Sequence, residues 1–257
     1  LNVTDRQLKV LKGSLLAGLP DGNFRQTVRD FMVNQQFRRD YWIKGPRRLN
    51  NWEQVEQLRA QRVVLTTVRS SIKYTVNGTL GEAGLNEGVY LPFLELMADH
   101  RPRSLQQIEQ ELLPRGLSSA QILQAVFVLI GKGDLAPAQD AKTIDKRVAV
   151  TTRFNFWLMN KAHGSKDIAY LACPVTGGGI AVNRFEQLFM VAMQRGAKQP
   201  AQLAAYVWRV LSGQNQRLIL EGKQLLTEEE NMDELMRQAN DFMQQRLPML
   251  KVLQVVG

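Results

Sequence analysis

The stretch from Ser104 to Leu135, SLQQIEQELLPRGLSSAQILQAVFVLIGKGDL, contains the same helical pattern twice. Ser104 with Gln107 predicts a capping box, in which the serine hydroxyl accepts a backbone N–H and the glutamine side chain accepts the N–H of the serine. Ser118 with Gln121 repeats this pattern. Proline and glycine residues follow each helical segment and end it. The stretch therefore predicts two short helices joined by a turn, which is the outline of a helix-turn-helix.

The flanking segments extend this outline to a winged helix. Val89 to Asp99 predicts a third helix, and Lys146 to Phe156 is a β-branched and aromatic run suited to a wing strand. Upstream, Arg62 to Thr79 predicts a strand pair or a small sheet, which ends at a turn at Asn77-Gly78. We therefore expect a mainly α fold with a small β component, of the α+β class, in which a winged-helix-like central domain precedes a helical C-terminal region.

The pattern divides the chain of 257 residues into three segments. We predict an N-terminal helical linker segment at 1–60, a strand pair plus winged-helix-like domain at 61–160, and a helical C-terminal region at 161–257. In the last segment, Asn183 with Glu186 and Thr227 with Glu230 predict two capped helices, and Pro200 opens another. The first residue is Leu1, which suggests a piece of a longer protein.

Charge is unevenly distributed along the chain. The formal net charge is +9, and the first 62 residues carry twelve Lys and Arg against six Asp and Glu. Residues 63–160 carry ten against nine, so the predicted winged-helix region has a net charge of only +1. A single cysteine and the lack of about 18 consecutive apolar residues predict a cytoplasmic protein without a membrane span.

The basic excess includes a cluster of arginines beside an aromatic side chain. Arginine and aromatic side chains together can bind a partner, since guanidinium groups and aromatic rings both offer planar contact faces. The alternative is a solvated helix end, where arginines stabilise the helix dipole. The candidate partner-contact residues are Arg38, Arg39, Trp42, Arg47 and Arg48.

No catalytic, cofactor-binding or metal site is predicted in this chain. The glycine run Thr176 to Ile180 lacks the GxGxxG spacing, and a chain reversal explains it equally well. The two histidines, His100 and His163, have no second ligand at metal spacing. Cys173 lies in an apolar run and is expected to be a small buried hydrophobe.

The predicted second helix of the helix-turn-helix is a poor DNA reader. It offers only Gln121 and Gln124 as polar side chains that could read bases, whereas a recognition helix usually presents several and is flanked by phosphate-binding cations. Its remaining residues are almost all apolar. We expect it to be buried as a packing scaffold and, if this region binds anything, to bind a protein.

The C-terminal half resembles a known family. The segment LACPVTGGGIAVNRFEQLF, from Leu171 to Phe189, resembles a signature of the methyltransferase regulatory domain. This domain follows the catalytic domain in certain bacterial S-adenosylmethionine-dependent methyltransferases. Further matches are Asp30-Phe31-Met32 and Asn34 through Arg39 near the start, and Gln216-Arg217-Leu218, Glu229-Glu230-Asn231 and Arg246-Leu247-Pro248 near the end.

The resemblance implies a non-catalytic regulatory or substrate-recognition module. In such proteins S-adenosylmethionine binds to an upstream catalytic domain, so the expected partners are that domain and a protein substrate, and neither nucleic acid nor membrane is expected. A rival hypothesis is a winged-helix nucleic-acid-binding module that uses the arginine cluster with Lys142, Lys146 and Arg147. A third is an independent enzyme that uses the glycine run and His163.

Overall fold

The computed structural model of the protein describes residues 16–20, 22–32, 35, 37, 42–45, 47–78 and 81–256. The chain forms two compact units. The first comprises Leu1–Val55 and Lys73–Glu87, and the second comprises Glu56–Ile72 and Gly88–Gly257. The described residues are mainly helical with small antiparallel sheets, which agrees with the predicted α+β class.

The first unit contains a helix and a hairpin. Its elements are α1 (Asn23–Met32), the beginning of α2 (Asn51–Ala60), and the antiparallel strands β2 (Thr75–Gly78) and β3 (Gly81–Gly84). Arg25 Nε donates to Leu16 O at 2.8 Å and so connects α1 to a short helical turn, Leu16–Gly18. The predicted turn at Asn77-Gly78 is wrong, because both residues belong to β2 and the chain reverses after them.

A three-stranded antiparallel sheet lies in the second unit. Strand β1 (Arg62–Leu65) pairs on one side with β4 (Arg103–Ser104) and on the other with β5 (Leu135–Pro137). Val64 packs into the large C-terminal core, whereas Val63 and Leu65 point to the opposite face and are also buried. A strand buried on both faces needs a continuous apolar run, which β1 has.

Both strands predicted between Arg62 and Thr79 exist, and β1 belongs to a small sheet, but the two strands do not pair with each other. Strand β1 takes its partners from β4 and β5, which are far away in the sequence, and β2 pairs with β3 instead. The apolar side chains of β1 favour the buried central position between two strands. Burial therefore overrides the closeness of β1 and β2 in the chain.

The helices around this sheet confirm the predicted capping boxes. They are α3 (Glu87–Met97), α4 (Leu105–Leu112) and α5 (Ser119–Lys132). Gln107 N donates to Ser104 Oγ at 3.2 Å, and Ser104 N donates to Gln107 Oε1 at 2.8 Å. Ser118 and Gln121 make the same two hydrogen bonds at 3.3 and 2.9 Å. Gly133, with φ of +84°, ends α5 in the left-handed conformation that glycine favours.

The predicted wing strand at Lys146 to Phe156 is wrong, since these residues lie within the long helix α6 (Ala141–Lys161). Asp140 caps this helix by accepting the N–H of Thr143 at 3.0 Å. One face of α6 is buried through Ile144, Leu158 and Met159, which recur at helical spacing. Packing of this face outweighs the weak strand preference of the β-branched residues.

The C-terminal part of the second unit surrounds the largest core. Its elements are the hairpin of β6 (Tyr170–Cys173) and β7 (Gly178–Ala181), α7 (Arg184–Gln194), α8 (Pro200–Ser212), the hairpin of β8 (Ile219–Leu220) and β9 (Lys223–Gln224), α9 (Glu228–Asp241) and α10 (Leu247–Val252). Apolar faces of α6 to α10 meet in this core. The predicted capping boxes at Asn183 and Thr227 are confirmed.

A π-helical turn, Phe242–Arg246, separates α9 from α10. In this turn Leu247 N–H donates to Phe242 O, five residues earlier, whereas an α-helix uses the carbonyl four residues earlier. Pro248 follows directly and has no N–H to continue the helical pattern. The wider turn places Arg246 so that its Nε donates to Glu186 Oε1 at 2.8 Å.

Acid is expected to weaken helix α9 through Glu234. Hydrogen bonds from Arg237 hold the pKa of the nearly buried Glu234 carboxylate below its ordinary value of 4.5. A lowered folded-state pKa adds stability that is present above pH 4.5 and is lost as the pH falls through the folded-state pKa. Glu234→Gln should therefore destabilise the protein at neutral pH, and urea unfolding should show this difference shrinking as the pH falls below 4.5.

The control for this experiment is Asp241→Asn. Asp241 contacts the same arginine at 3.0 Å, but its side chain is 57% exposed, so its replacement should have little effect on stability at any pH. A difference between the protein and its Glu234→Gln variant that stays constant across this pH range would contradict the assignment.

Candidate functional site

The predicted basic and aromatic cluster near the N-terminus is only partly described. Arg38 and Arg39 lie outside the described residues. Trp42 is 83% exposed, and Arg48 is exposed as well. Arg47 Nη2 pairs with Glu53 Oε1 at 3.0 Å, and the other oxygen of this carboxylate accepts the N–H of Asn50 at 3.1 Å. Arg47 thus supports the beginning of α2, and partner contact by this cluster stays a prediction.

The signature segment that carries the family resemblance has structural roles in the fold. Asn183 Oδ1 caps α7 by accepting the N–H of Glu186 at 2.9 Å, and Glu186 Oε2 accepts the N–H of Asn183 at 2.9 Å. The second oxygen of Glu186 binds Arg246, whose Nη2 also donates to Ala181 O at 2.6 Å. These contacts attach the beginning of α7 to the π-helical turn, so the two family segments stabilise each other.

Arg184 connects α7 to two loops. Its Nε and Nη2 donate to the carbonyls of Ala162 and His163 at 2.7 and 3.0 Å. Nη1 and Nη2 also donate to the side-chain oxygens of Gln216 and Gln214 at 2.7 and 2.9 Å. All three nitrogens of this guanidinium are therefore engaged within the protein, which makes Arg184 a structural residue.

The glycine run begins in the turn between β6 and β7, with Thr176 and Gly177, and continues as the first residues of β7. Gly177 has φ of +69°, and a Cβ atom at this position would lie 2.6 Å from Gln139 Nε2. The N–H of Gln139 also donates to Val175 O at 2.8 Å, on the same turn. A left-handed conformation and close packing thus account for the glycine, as expected for a chain reversal.

The histidines and the cysteine are held by local contacts. His163 Nε2 lies 2.6 Å from the hydroxyl of Tyr206, and His100 Nδ1 lies 3.0 Å from Leu65 O. Cys173 is buried, as predicted, and its Sγ lies 3.3 Å from Leu253 O. Among the described residues, no group of three or more histidine, cysteine, aspartate or glutamate side chains could hold a metal ion.

Helix α5 is buried on its apolar face, as the sequence predicts, through Ile122, Ala125, Val126 and Leu129. Contrary to what we expected, the helix is not buried throughout, because Phe127 is 60% exposed. Leu123 and Ile130, one turn away on either side of it, are half-buried.

Helix α6 presents an exposed apolar stripe that the sequence reasoning missed. Val150, Phe154 and Trp157 lie four and three residues apart, so they share one side of the helix, and each is about half exposed. The rings of Phe154 and Trp157 stack with centroids 6.2 Å apart and an interplanar angle of 14°. Lys161 Nζ lies 4.9 Å from the centroid of Trp157. We call Val150, Phe154, Trp157 and Lys161 the α6 stripe.

Basic side chains flank the α6 stripe. The exposed side of α6 carries one acid, Asp145, and the cations Lys142, Lys146, Arg147, Arg153 and Lys161. No carboxylate of the described residues lies within 4.0 Å of the first four of these cations.

The stripe was missed because this segment was interpreted as a strand, in which residues 150, 154 and 157 do not share a face. The spacing of four and three was the available signal.

A family model matches the N-terminal end of the chain. The model of a predicted methyltransferase regulatory domain matches residues 2–44. The resemblance to this family is therefore confirmed. The match includes the early segment Asp30-Phe31-Met32 and ends before the signature in the C-terminal half. The family model thus supports the resemblance through the N-terminal end of the chain, at residues 2–44.

A relative extends the comparison to most of the chain. An uncharacterized protein of Synechocystis sp. is 37% identical over 238 residues, which covers 93% of this chain and 46% of the relative. The chain thus spans about half the length of this protein. No solved structure matches this chain. Within the described ranges, no helix is both long and apolar enough to cross a membrane.

Proposed function

We propose that this chain is a non-catalytic regulatory or substrate-recognition module of a bacterial S-adenosylmethionine-dependent methyltransferase. The family match supports the association with a methyltransferase. The observation that carries the proposed mode of action is the α6 stripe with its flanking cations, since aromatic anchors surrounded by polar groups are typical of protein-binding surfaces. The partner is a protein surface that offers carboxylates around an apolar centre.

The ring contacts favour a protein over nucleic acid as the partner of α6. Single-stranded nucleic acids bind by stacking bases on free aromatic faces. Phe154 and Trp157 already stack on each other, and Lys161 lies against Trp157. Val150 offers no ring at all. The exposed ring edges and the valine suit apolar side chains better than bases.

The cations add orientation and association rate more than affinity. Exposed ion pairs contribute only about 0–1 kcal/mol each. A buried aromatic anchor contributes about 2 kcal/mol or more when it is desolvated in an interface. We therefore assign most of the binding free energy to Phe154 and Trp157, and partner selection to the surrounding lysines and arginines.

A winged-helix-like scaffold is part of the proposal for the fold. The support is an antiparallel sheet of three strands beside α3, α4 and α5, with both capping boxes formed. The central strand of this sheet, β1, precedes these helices in the sequence and pairs with β4 and β5. The scaffold presents no arginine or lysine on α5 except Lys132 at its end.

S-adenosylmethionine binds to a separate catalytic domain, and the module affects that domain or its protein substrate in the cytoplasm. The arginine cluster with Arg38, Arg39, Trp42, Arg47 and Arg48 provides a second partner contact. The three segments at 1–60, 61–160 and 161–257 describe the organisation of the module.

Calorimetry with S-adenosylmethionine tests the non-catalytic assignment. We expect no heat of binding from this chain, because the cofactor belongs to another domain in the proposal. A dissociation constant on the order of 1 μM, about −8 kcal/mol of binding free energy, would overturn it.

Duplex and single-stranded DNA in the same instrument test the rival partner. Binding whose logarithmic affinity falls with logarithmic salt concentration by about 0.9 per phosphate contact would replace the protein partner with nucleic acid.

A further inference from the structure

A small apolar cleft lies in the second unit, between α6, α7 and the C-terminal residues. Its volume is about 230 Å³. Its lining residues come from α6 (Thr152, Met159), α7 (Met190, Met193, Gln194), α10 (Leu247, Lys251) and the segment after α10 (Val255, Val256). The cleft lies away from the α6 stripe, because Met159 belongs to the buried face of that helix.

The lining is apolar at the floor and polar at the rim. Met159, Met190, Leu247 and Val255 are almost fully buried, with 0 to 7% of each residue exposed. Lys251 and Gln194 are exposed, and Thr152 is half-buried. A ligand in this cleft would therefore bury an apolar group against methionine and valine while its polar end stays near the lysine, the threonine and the glutamine.

The volume limits the size of the ligand. Sites for drug-sized molecules usually measure about 300–1,000 Å³. A cleft of 230 Å³ is smaller than these and suits a single apolar side chain. Methionine side chains are flexible and polarizable, so the three that line the cleft can adapt to branched or aromatic shapes.

The charge at the rim is not compensated within the described part of the chain. None of its carboxylates lies within 4.0 Å of Lys251 Nζ. A carboxylate attached to the bound apolar group would pair with this ammonium next to a low-dielectric floor, where charge-assisted hydrogen bonds are strong. One residue supplies an apolar side chain and a carboxylate together, namely a C-terminal apolar residue of a polypeptide.

We propose that the cleft lined by Met159, Met190, Met193 and Lys251 binds the C-terminal apolar residue of a partner polypeptide, with its side chain on the methionine floor and its α-carboxylate at Lys251. The site is separate from the α6 stripe and does not depend on the function proposed above. It would give the protein a means to recognise a free chain end.

N-acetyl-L-leucine is a direct probe, because it carries the side chain and the carboxylate without a charged amine. In protein labelled with ¹³C at the methionine methyl groups, NMR titration should shift the signals of Met159, Met190 and Met193 in a saturable way. Met236 and Met243 lie outside the cleft and serve as internal controls. For a ligand of this size we expect a dissociation constant on the order of 1–10 mM.

Lys251→Gln should weaken this binding at least about fivefold, because a charge-assisted hydrogen bond is lost. The matched control, Lys223→Gln, alters an exposed lysine on β9 outside the cleft and should leave the affinity unchanged. N-acetyl-L-alanine, with its short side chain, and N-acetyl-L-leucinamide, without the carboxylate, should each bind more weakly than N-acetyl-L-leucine.

Three results would overturn the proposal. The first is no saturable shift of the three cleft methionines. The second is equal binding of the amide and the acid, which would assign the cleft to a side chain within a peptide. The third is tighter binding of octanoate than of N-acetyl-L-leucine, which would assign it to an acyl chain.

Discussion

Under the proposed function, replacing both Phe154 and Trp157 with serine in the full-length protein is expected to lower kcat/KM for methyl transfer to the protein substrate at least about 30-fold. These two rings are the exposed anchors of the α6 stripe and contact each other. Their removal deletes the apolar centre of the proposed interface. The assay is transfer of tritiated methyl groups to protein, with the affinity for S-adenosylmethionine measured in parallel.

We expect the affinity of the double variant for S-adenosylmethionine to be unchanged. This result would show that the variant has lost contact with its partner and has not lost its fold. Both rings are about half exposed, so their replacement should cost little stability. Phe127→Ser is the matched control, because Phe127 is similarly exposed but lies on α5, outside the α6 stripe. Methyl transfer that is the same in the double variant and the parent enzyme would reject α6 as the contact surface. An equal loss in the Phe127→Ser variant would show that the effect is not specific to α6.

Replacing Asn155 with alanine is expected to reduce the free energy of unfolding by about 3–4 kcal/mol. Asn155 is 1% exposed and lies on the buried face of α6. Its Oδ1 accepts the N–H of Ala172 at 2.7 Å, and its Nδ2 donates to Ala172 O and Val255 O, each at 2.8 Å. Without the amide, the N–H and carbonyl of the half-buried Ala172 and the carbonyl of the buried Val255 lose this partner.

Urea unfolding at neutral pH measures this loss. Asn160→Ala is the control on the same helix, since the Nδ2 of Asn160 donates only to Phe156 O, one turn earlier, and the residue is half-buried. The control should change the unfolding free energy by about 0.5 kcal/mol or less. A loss of the same size in both variants would mean that the bridge between α6, β6 and the C-terminal segment adds no stability of its own.

The capped helices could be predicted because their determinants are local. Ser104 with Gln107, and Ser118 with Gln121, need only residues three positions apart, and both pairs form as predicted. Asn183 with Glu186 follows the same rule. A hydrogen bond within one helical turn depends little on the rest of the protein.

The partners of the central strand β1 and the helical state of α6 could not be predicted in this way. Residues Val148 to Thr152 are mostly β-branched, which favours a strand, yet the apolar face with Leu158 and Met159 packs into the core as a helix. The α6 stripe exists because this segment is a helix. Val150, Phe154 and Trp157 form a stripe only when the segment is helical.

The sequence alone thus determined the positions of the capped helices, the low charge of the central region and the resemblance to the methyltransferase regulatory domain. These depend on composition and on contacts between near neighbours in the chain. Only the tertiary structure decided that β1 lies between β4 and β5, that Lys146 to Phe156 is helical, and that Arg246 reaches Glu186. The physical reason is that burial of apolar surface brings together residues far apart in the chain, and this outweighs the local preferences of the backbone.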